Sequence, residues 1–247
     1  KVRKNLARGL GEKGTQVIHF EQAFHGRGGY TLSMTNTADP NKTKYYPKFA
    51  WPRIESPKLR FPAEGARLEE TVAAEKRAVK AIEEAFRANP GDVAAILIEP
   101  IQGEGGDNHF RPEFFRELRR LADENEAMLI FDEVQTGIGI TGRMWAYRHY
   151  GVTPDMVCFA KKMQVGGFLC GRRIEEVAEN VFAVPSRINS TWGGNLVDMV
   201  RATRYLEIVE EDRLVENAAA RGEHLLASLR ALAARHPALL SNVRGRG

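Results

Sequence analysis

An α/β fold, a mostly parallel sheet covered by helices, is what this sequence predicts, and three observations carry the prediction. Apolar runs of strand length recur along the chain, stretches of helical composition fall between them, and turn-forming residues punctuate both. With 247 residues, 43% of them hydrophobic, the chain can bury a sizeable core in one large domain or two small ones.

In order, the predicted strands are "TQVIHF" (15–20), "VAAILIE" (93–99), "AMLIFDE" (127–133), "DMVCFA" (155–160) and "GFLCG" (167–171). Residues 35–66 have neither period and are rich in proline and aromatics; a segment this long without elements of its own reads as functional or as an interface arm. Helices are predicted over 68–89, which ends before Pro90, over 111–126, which carries proline in its first turn, and over 145–151, which stops at Gly151. Two further helices between 195 and 236 lead away from the sheet. No internal repeat or low-complexity tract is present.

The net charge of +4 arises from 36 basic and 32 acidic residues mixed along the chain, which reads as a solvated surface and argues against a nucleic-acid stripe. No apolar run approaches the roughly 20 residues that span a bilayer, and the opening "KVRKNLARGLGEKG" lacks the apolar region of a signal peptide, so no membrane partner and a cytoplasmic location are predicted. Cys158 and Cys170 sit in apolar segments and read as reduced core thiols. The chain begins without Met and closes on "SNVRGRG", a basic glycine-bearing turn that reads as the approach to further sequence.

In "AMLIFDEVQTG" an apolar strand delivers Asp132 and Glu133 at its carboxyl end, the side of an open parallel sheet where ligands bind. Two other motifs compete for this neighbourhood. A P-loop partner for the Asp-Glu pair fails, because "GLGEKGT" (9–15) has Thr15 where the phosphate-binding lysine is required. "GIGITG" (137–142) matches G-x-G-x-x-G, but carboxylates occupy the strand end before it and would repel a pyrophosphate; its glycines read as a loop running close to a ligand or another subunit. Lys161 follows Asp132 by about the length of one βαβ unit, on the order of 30 residues. Neighbouring strands would therefore bring both side chains to one sheet edge. A lysine at the end of a buried strand is desolvated, which favours the free amine as a nucleophile towards aldehydes and ketones; the bland reading is a side chain that snorkels to water. A lysine and a carboxylate facing one cofactor are what pyridoxal phosphate needs. Strand alternation sends Lys161 and Lys162 to opposite sides if the strand continues that far.

The stretch "LIFDEVQTGIGITGRMWAYRHYGVTPDMVCFAKKMQVGG", with "AFHGRGGYTLS", "LIEPIQGEGGD" and "SRINSTWGGN" in the same order, resembles the class III, ω-type aminotransferases. "PSRINSTWGGN" and "KKMQV" most resemble the lysine ε-aminotransferase branch. The resemblance implies an aspartate aminotransferase-like fold, type I of the pyridoxal-phosphate enzymes, with a mixed seven-stranded sheet. Residues 1–195 would form the cofactor-binding large domain and 196–247 an interdomain helix and the start of a small domain, with family segments beyond both ends.

Residue by residue, it implies that Lys161 forms the Schiff base with pyridoxal 5'-phosphate and moves the proton. Asp132 would pair with the pyridine nitrogen, Gln135 would contact the ring hydroxyl and substrate, Phe24 would stack on the ring with His25 beside it, and Val134 and Glu99 would support it. Ser190 and Thr191 would reach the phosphate of a neighbouring subunit, which implies a homodimer with shared active sites. Arg27 would hold a substrate carboxylate, Asn189 would contact substrate, and Glu104 would mask a downstream arginine. Each residue has a plain structural alternative: packing for Phe24 and His25, a surface ion pair for Arg27, an ordinary turn around Thr191. The histidines show no metal-ligand spacing, and no metal is predicted. The implied reaction transfers the ε-amino group of L-lysine to 2-oxoglutarate, giving 2-amino-6-oxohexanoate and glutamate. Open alternatives are another ω-aminotransferase, acting on ornithine, acetylornithine or 4-aminobutyrate, and a truncated non-catalytic scaffold.

Overall fold

The computed structural model describes residues 1–188 and 190–247. In chain order the elements are α1 (Val2–Ala7), β1 (Gln16–Phe20), α2 (Gly29–Met34), β2 (Arg53–Ile54), α3 (Gly65–Ala88), β3 (Val93–Ile98), α4 (Pro112–Glu124), β4 (Met128–Asp132), β5 (Met156–Phe159), β6 (Gly167–Cys170), α5 (Leu196–Glu211) and α6 (Leu214–Arg235). One sheet of six strands has the order β2-β1-β3-β4-β5-β6. All neighbours are parallel except the antiparallel pair β5 and β6. Six strands therefore stand among the described residues where the resemblance implies seven.

The central strands are buried on both faces, which is why they read as continuous apolar runs and not as an alternation. α4 covers them with Phe114, Phe115, Leu118, Leu121 and Ala122, the spacing of one helical stripe. α3 turns Thr71, Glu75, Ala78, Ile82 and Phe86 inward in the same way. The Phe115 ring lies 5.3 Å from Phe131 and 4.3 Å from Tyr150. The buried Tyr150 hydroxyl donates to the Pro100 carbonyl at 3.0 Å, and burial pushes that phenol up to about 12.

Several expectations change. The helix predicted over 145–151 is only a 3₁₀ turn, Ala146–His149, because a buried carboxylate fixes its first two amides and Gly151 ends it. The arm 35–66 carries a 3₁₀ turn, Pro40–Lys42, and the two residues of β2 at the sheet edge. The two cysteines are half-buried, because β5 and β6 lie at the less covered end of the sheet; Cys158 stands opposite Phe168, and burial pushes its thiol up to about 12. The "GIGITG" loop runs against α6 of its own chain. A Cβ at Gly139 would come within 2.9 Å of Val215, and one at Gly142 within 2.8 Å of Ala219. Among the described residues no helix is long and apolar enough to cross a membrane.

Because Phe115 joins α4 to β4 and to the turn around Tyr150, Phe115→Ala should lower unfolding stability by about 3–5 kcal/mol in denaturant titrations. Phe115→Leu should cost less than half of that loss, and an equal loss would show that the aromatic packing is not the source.

Candidate active site

The strand order reverses between β1 and β3, since β2 lies outside β1 on one side and the later strands build outward on the other. In an open parallel sheet such a switch opens a crevice beyond the carboxyl ends of the strands. A cavity of about 120 Å³ lies there, lined by Phe24, His25 and Gly26 after β1, Glu99 and Glu104 after β3, Asp132, Val134 and Gln135 at the end of β4, and Lys161 after β5. A larger hollow of about 400 Å³ near Lys58 is lined by Arg67 and Arg244, whose guanidiniums already donate to the carbonyls of Phe61, Gly106 and Asp107.

Buried carboxylates tie the loops of this edge together. Glu99 accepts from the amides of Phe24 at 2.8 Å and Gly103 at 3.3 Å. Burial nevertheless dominates and pushes its carboxyl up to about 7. Asp132 accepts the Val134 amide at 3.0 Å through Oδ1, and its Oδ2 lies 2.8 Å from His25 Nδ1. The His25 side chain is 1% exposed, and its Nε2 has no partner among the described residues. Glu133, the other half of the Asp-Glu pair, turns away from the cavity: it accepts from the Ala146 and Tyr147 amides and the Thr136 hydroxyl, at 2.8, 2.8 and 3.0 Å. Burial raises its carboxyl as well.

The condition for alternation is not met at the two lysines. β5 stops at Phe159, and Lys161 takes a left-handed backbone, φ 50°, at the head of a 3₁₀ turn, so the two-residue period ends before it reaches them. Both ammoniums then converge on Gln135. Lys161 Nζ donates to its side-chain Oε1, and Lys162 Nζ to its backbone oxygen at 2.7 Å. Lys161 is exposed in the cavity mouth; the desolvated member is Lys162, whose pKa is lowered by burial first and by the Lys161 charge second.

Other predicted residues are placed as follows. Glu104 meets Lys42 of the arm at 2.7 Å, a cation that sequence reasoning did not connect to it because the arm has no periodic pattern. Arg27 is exposed, its guanidinium 5.9 Å above the Phe24 ring, and it does not line the cavity. Ser190 and Thr191 are exposed and likewise do not line it. Asn189 lies outside the described residues. Two glycines of "QGEGG" let the loop after β3 pack closely on its neighbours: a Cβ at Gly105 would clash with the Gln22 carbonyl oxygen, and one at Gly103 would fall 2.8 Å from the Gln135 side chain. The His25–Asp132 contact was missed, since nothing in local sequence marks a pair so distant along the chain.

An amine and a buried carboxylate facing one cavity, at the carboxyl ends of parallel strands, define a site for an aldehyde-bearing cofactor with a basic ring nitrogen. The chain belongs to the class-III aminotransferases: the model of that family matches residues 2–247. It is 55% identical over 248 residues to the L-lysine-epsilon aminotransferase of Mycobacterium tuberculosis strain H37Rv, covering 100% of this chain and 54% of that protein. It is also 55% identical over 245 residues to the L-lysine-epsilon aminotransferase of Streptomyces clavuligerus, covering 97% of this chain and 52% of that protein. The structure of lysine aminotransferase from M. tuberculosis in the internal aldimine form superposes with a TM-score of 0.94 at 55% identity, covering 100% of this chain and 56% of the other. The chain thus spans about half the length of the curated relatives it matches.

The cofactor is pyridoxal phosphate, and the residues present fit it. Asp132 lines the cavity as an acceptor with two oxygens, Lys161 supplies an amine, Phe24 an aromatic wall, and the orphaned His25 Nε2 a further polar atom.

Glu99 supplies a pH signature. Its folded pKa, about 7, lies above the ordinary 4.5, so its contribution to stability is complete below pH 4.5 and is lost as pH rises through 7. Glu99→Gln has no such loss. Relative to wild type its stability should therefore improve between pH 4.5 and 8 by up to about 3 kcal/mol, at roughly 1.4 kcal/mol per pH unit. His19 and His109, both held near 4 by burial, titrate in this range but cancel in the comparison. A difference between the two proteins that is flat with pH would refute the assignment.

Proposed function

We propose that this protein is a lysine ε-aminotransferase, moving the ε-amino group of L-lysine to 2-oxoglutarate to give 2-amino-6-oxohexanoate and glutamate. The observation that carries the chemistry is Lys161 Nζ, held by the Gln135 side chain at the mouth of a cavity that Asp132 also lines. The choice of lysine as donor is supported by the likeness to the L-lysine-epsilon aminotransferases along the whole of this chain.

When bound, pyridoxal phosphate supplies an aldehyde that exchanges amines and a pyridinium ring that withdraws electrons. Lys161 would hold the cofactor through its amine and would carry the proton that the transfer moves. Asp132 keeps the ring nitrogen protonated, and His25 Nδ1, bonded to Oδ2, holds the Asp132 carboxylate in place. Phe24 and Val134 form walls of the cavity, Glu99 fixes the loop that carries Phe24, and Gln135 would serve the ring hydroxyl and substrate. Arg27 holds the substrate carboxylate, and Asn189 completes the substrate contacts. Glu104, held by Lys42, moves aside when a second carboxylate must be accommodated.

Ser190 and Thr191 serve the phosphate across a homodimer interface. The exposed Leu196, Val197 and Val200 on α5, between 71% and 81% accessible, support burial of that helix against further protein. Residues 1–195 belong to the large domain and 196–247 to an interdomain helix and part of a small domain. A cytoplasmic location accords with a substrate pair of free metabolites.

Purified protein supplied with pyridoxal phosphate and 2-oxoglutarate should turn over L-lysine at least about tenfold faster, in kcat/KM, than ornithine or 4-aminobutyrate, a margin worth about 1.4 kcal/mol. Lys161→Ala should abolish turnover of all three. Faster turnover of ornithine would reassign the donor. Arg27→Ala should raise KM for lysine far more than it lowers kcat, and an unchanged KM would remove Arg27 from substrate binding.

A further inference from the structure

Lys162 is the one member of the lysine pair that the proposed reaction leaves without work. It is half-buried, it stands next to a lysine in a left-handed conformation, and its pKa is lowered by burial. An ammonium placed so is costly unless a firm partner holds it. The partner is the Gln135 backbone oxygen, at 2.7 Å.

The surroundings of Gln135 explain why its carbonyl needs that partner. On one side the Val134 amide is bonded to Asp132; on the other, the Gly137 amide is bonded to the Glu133 carbonyl at 2.8 Å and the Thr136 hydroxyl to the Glu133 side chain. The turn is thus pinned before and after Gln135. Its side chain packs against Gly103, where any Cβ would lie 2.8 Å from Gln135 Cγ. The side-chain amide oxygen receives Lys161 Nζ, and the backbone oxygen receives Lys162 Nζ. The same 3₁₀ turn, Lys161–Met163, is backed by α5, where Arg201 donates to the Gln164 carbonyl at 3.0 Å.

We propose that Lys162 is a positioning residue: by anchoring the Gln135 peptide, it keeps the Gln135 side chain bonded to Lys161 and so sets where the Lys161 amine stands in the cavity. The two adjacent lysines are the two halves of one clamp on Gln135, one structural and one reactive. The consequence for catalysis rests on the reading of Lys161 as the cofactor lysine; the clamp itself does not.

Competitive trace labelling of the cofactor-free protein with acetic anhydride, counted at Lys161 by mass spectrometry against the exposed Lys80, reads the clamp directly. Lys162→Met should raise labelling at Lys161 by about three- to tenfold, the size of one net hydrogen bond. Lys162→Arg, which keeps a cationic donor, should stay near wild type. Gln135→Ala should raise labelling by the same factor, and adding Lys162→Met to it should change nothing more. Labelling unmoved by Lys162→Met, an arginine variant that behaves like methionine, or multiplying effects in the double variant would each overturn the proposal. If Lys162→Met does not fold by circular dichroism, Lys162→Leu, which also lacks a donor, takes its place with the same expected rise. Borohydride reduction and peptide mapping of the holo protein, run in parallel, read the cofactor attachment separately. Cofactor found on another residue would overturn the proposed function and leave the labelling result standing.

Discussion

Three carboxylates buried at the ends of two neighbouring strands organise this molecule. Glu99 closes β3, and Asp132 and Glu133 close β4, each less than a tenth exposed. A carboxylate cannot be buried without donors, and the donors here are amides and hydroxyls of the very loops that leave the strand ends. Glu99 draws in the loop after β1 through Phe24, Asp132 draws in His25, and Glu133 takes the two amides that open the turn after the "GIGITG" loop. The cavity is the space these constraints leave between four loops. Its shape follows from satisfying buried charge, and its chemistry follows from Asp132 and Lys161, which line it together.

The same logic separates two residues that look alike in the chain. Asp132 and Glu133 are adjacent, yet strand alternation puts one into the cavity and the other into the scaffold behind it. Lys161 and Lys162 are adjacent too, but past the end of β5 alternation no longer applies. The left-handed backbone at Lys161 turns both ammoniums towards Gln135, a conformation that costs a non-glycine residue on the order of 1–2 kcal/mol and is held by the surrounding bonds.

Much of the fold was legible in the chain. The five strands read from apolar runs lie within a residue or two of β1, β3, β4, β5 and β6, because strands buried on both faces must be continuously apolar. The helices α3 and α4 were legible from helix-forming composition and from the prolines at their ends. Less legible were β2, two residues long and held only by its neighbour, and the 3₁₀ turn at Ala146–His149, whose composition suits a helix but whose first amides are claimed by Glu133. The partners of Glu104 and Asp132 were not legible at all, since Lys42 and His25 lie far from them in sequence and carry no periodic mark.

What the sequence determined alone is therefore what depends on local composition: which segments are strands, which end in carboxylates or a lysine, and which ordered motifs the class-III aminotransferases share with this chain. Tertiary structure decided what depends on distance between chain segments. It set the reversal of strand order between β1 and β3 that opens the crevice, the choice of Lys161 over Lys162 for the cavity, and the bonding of both to Gln135. The physical reason is that hydrogen bonds between loops are fixed by where parallel strands end side by side, and no short window of sequence records that neighbourhood.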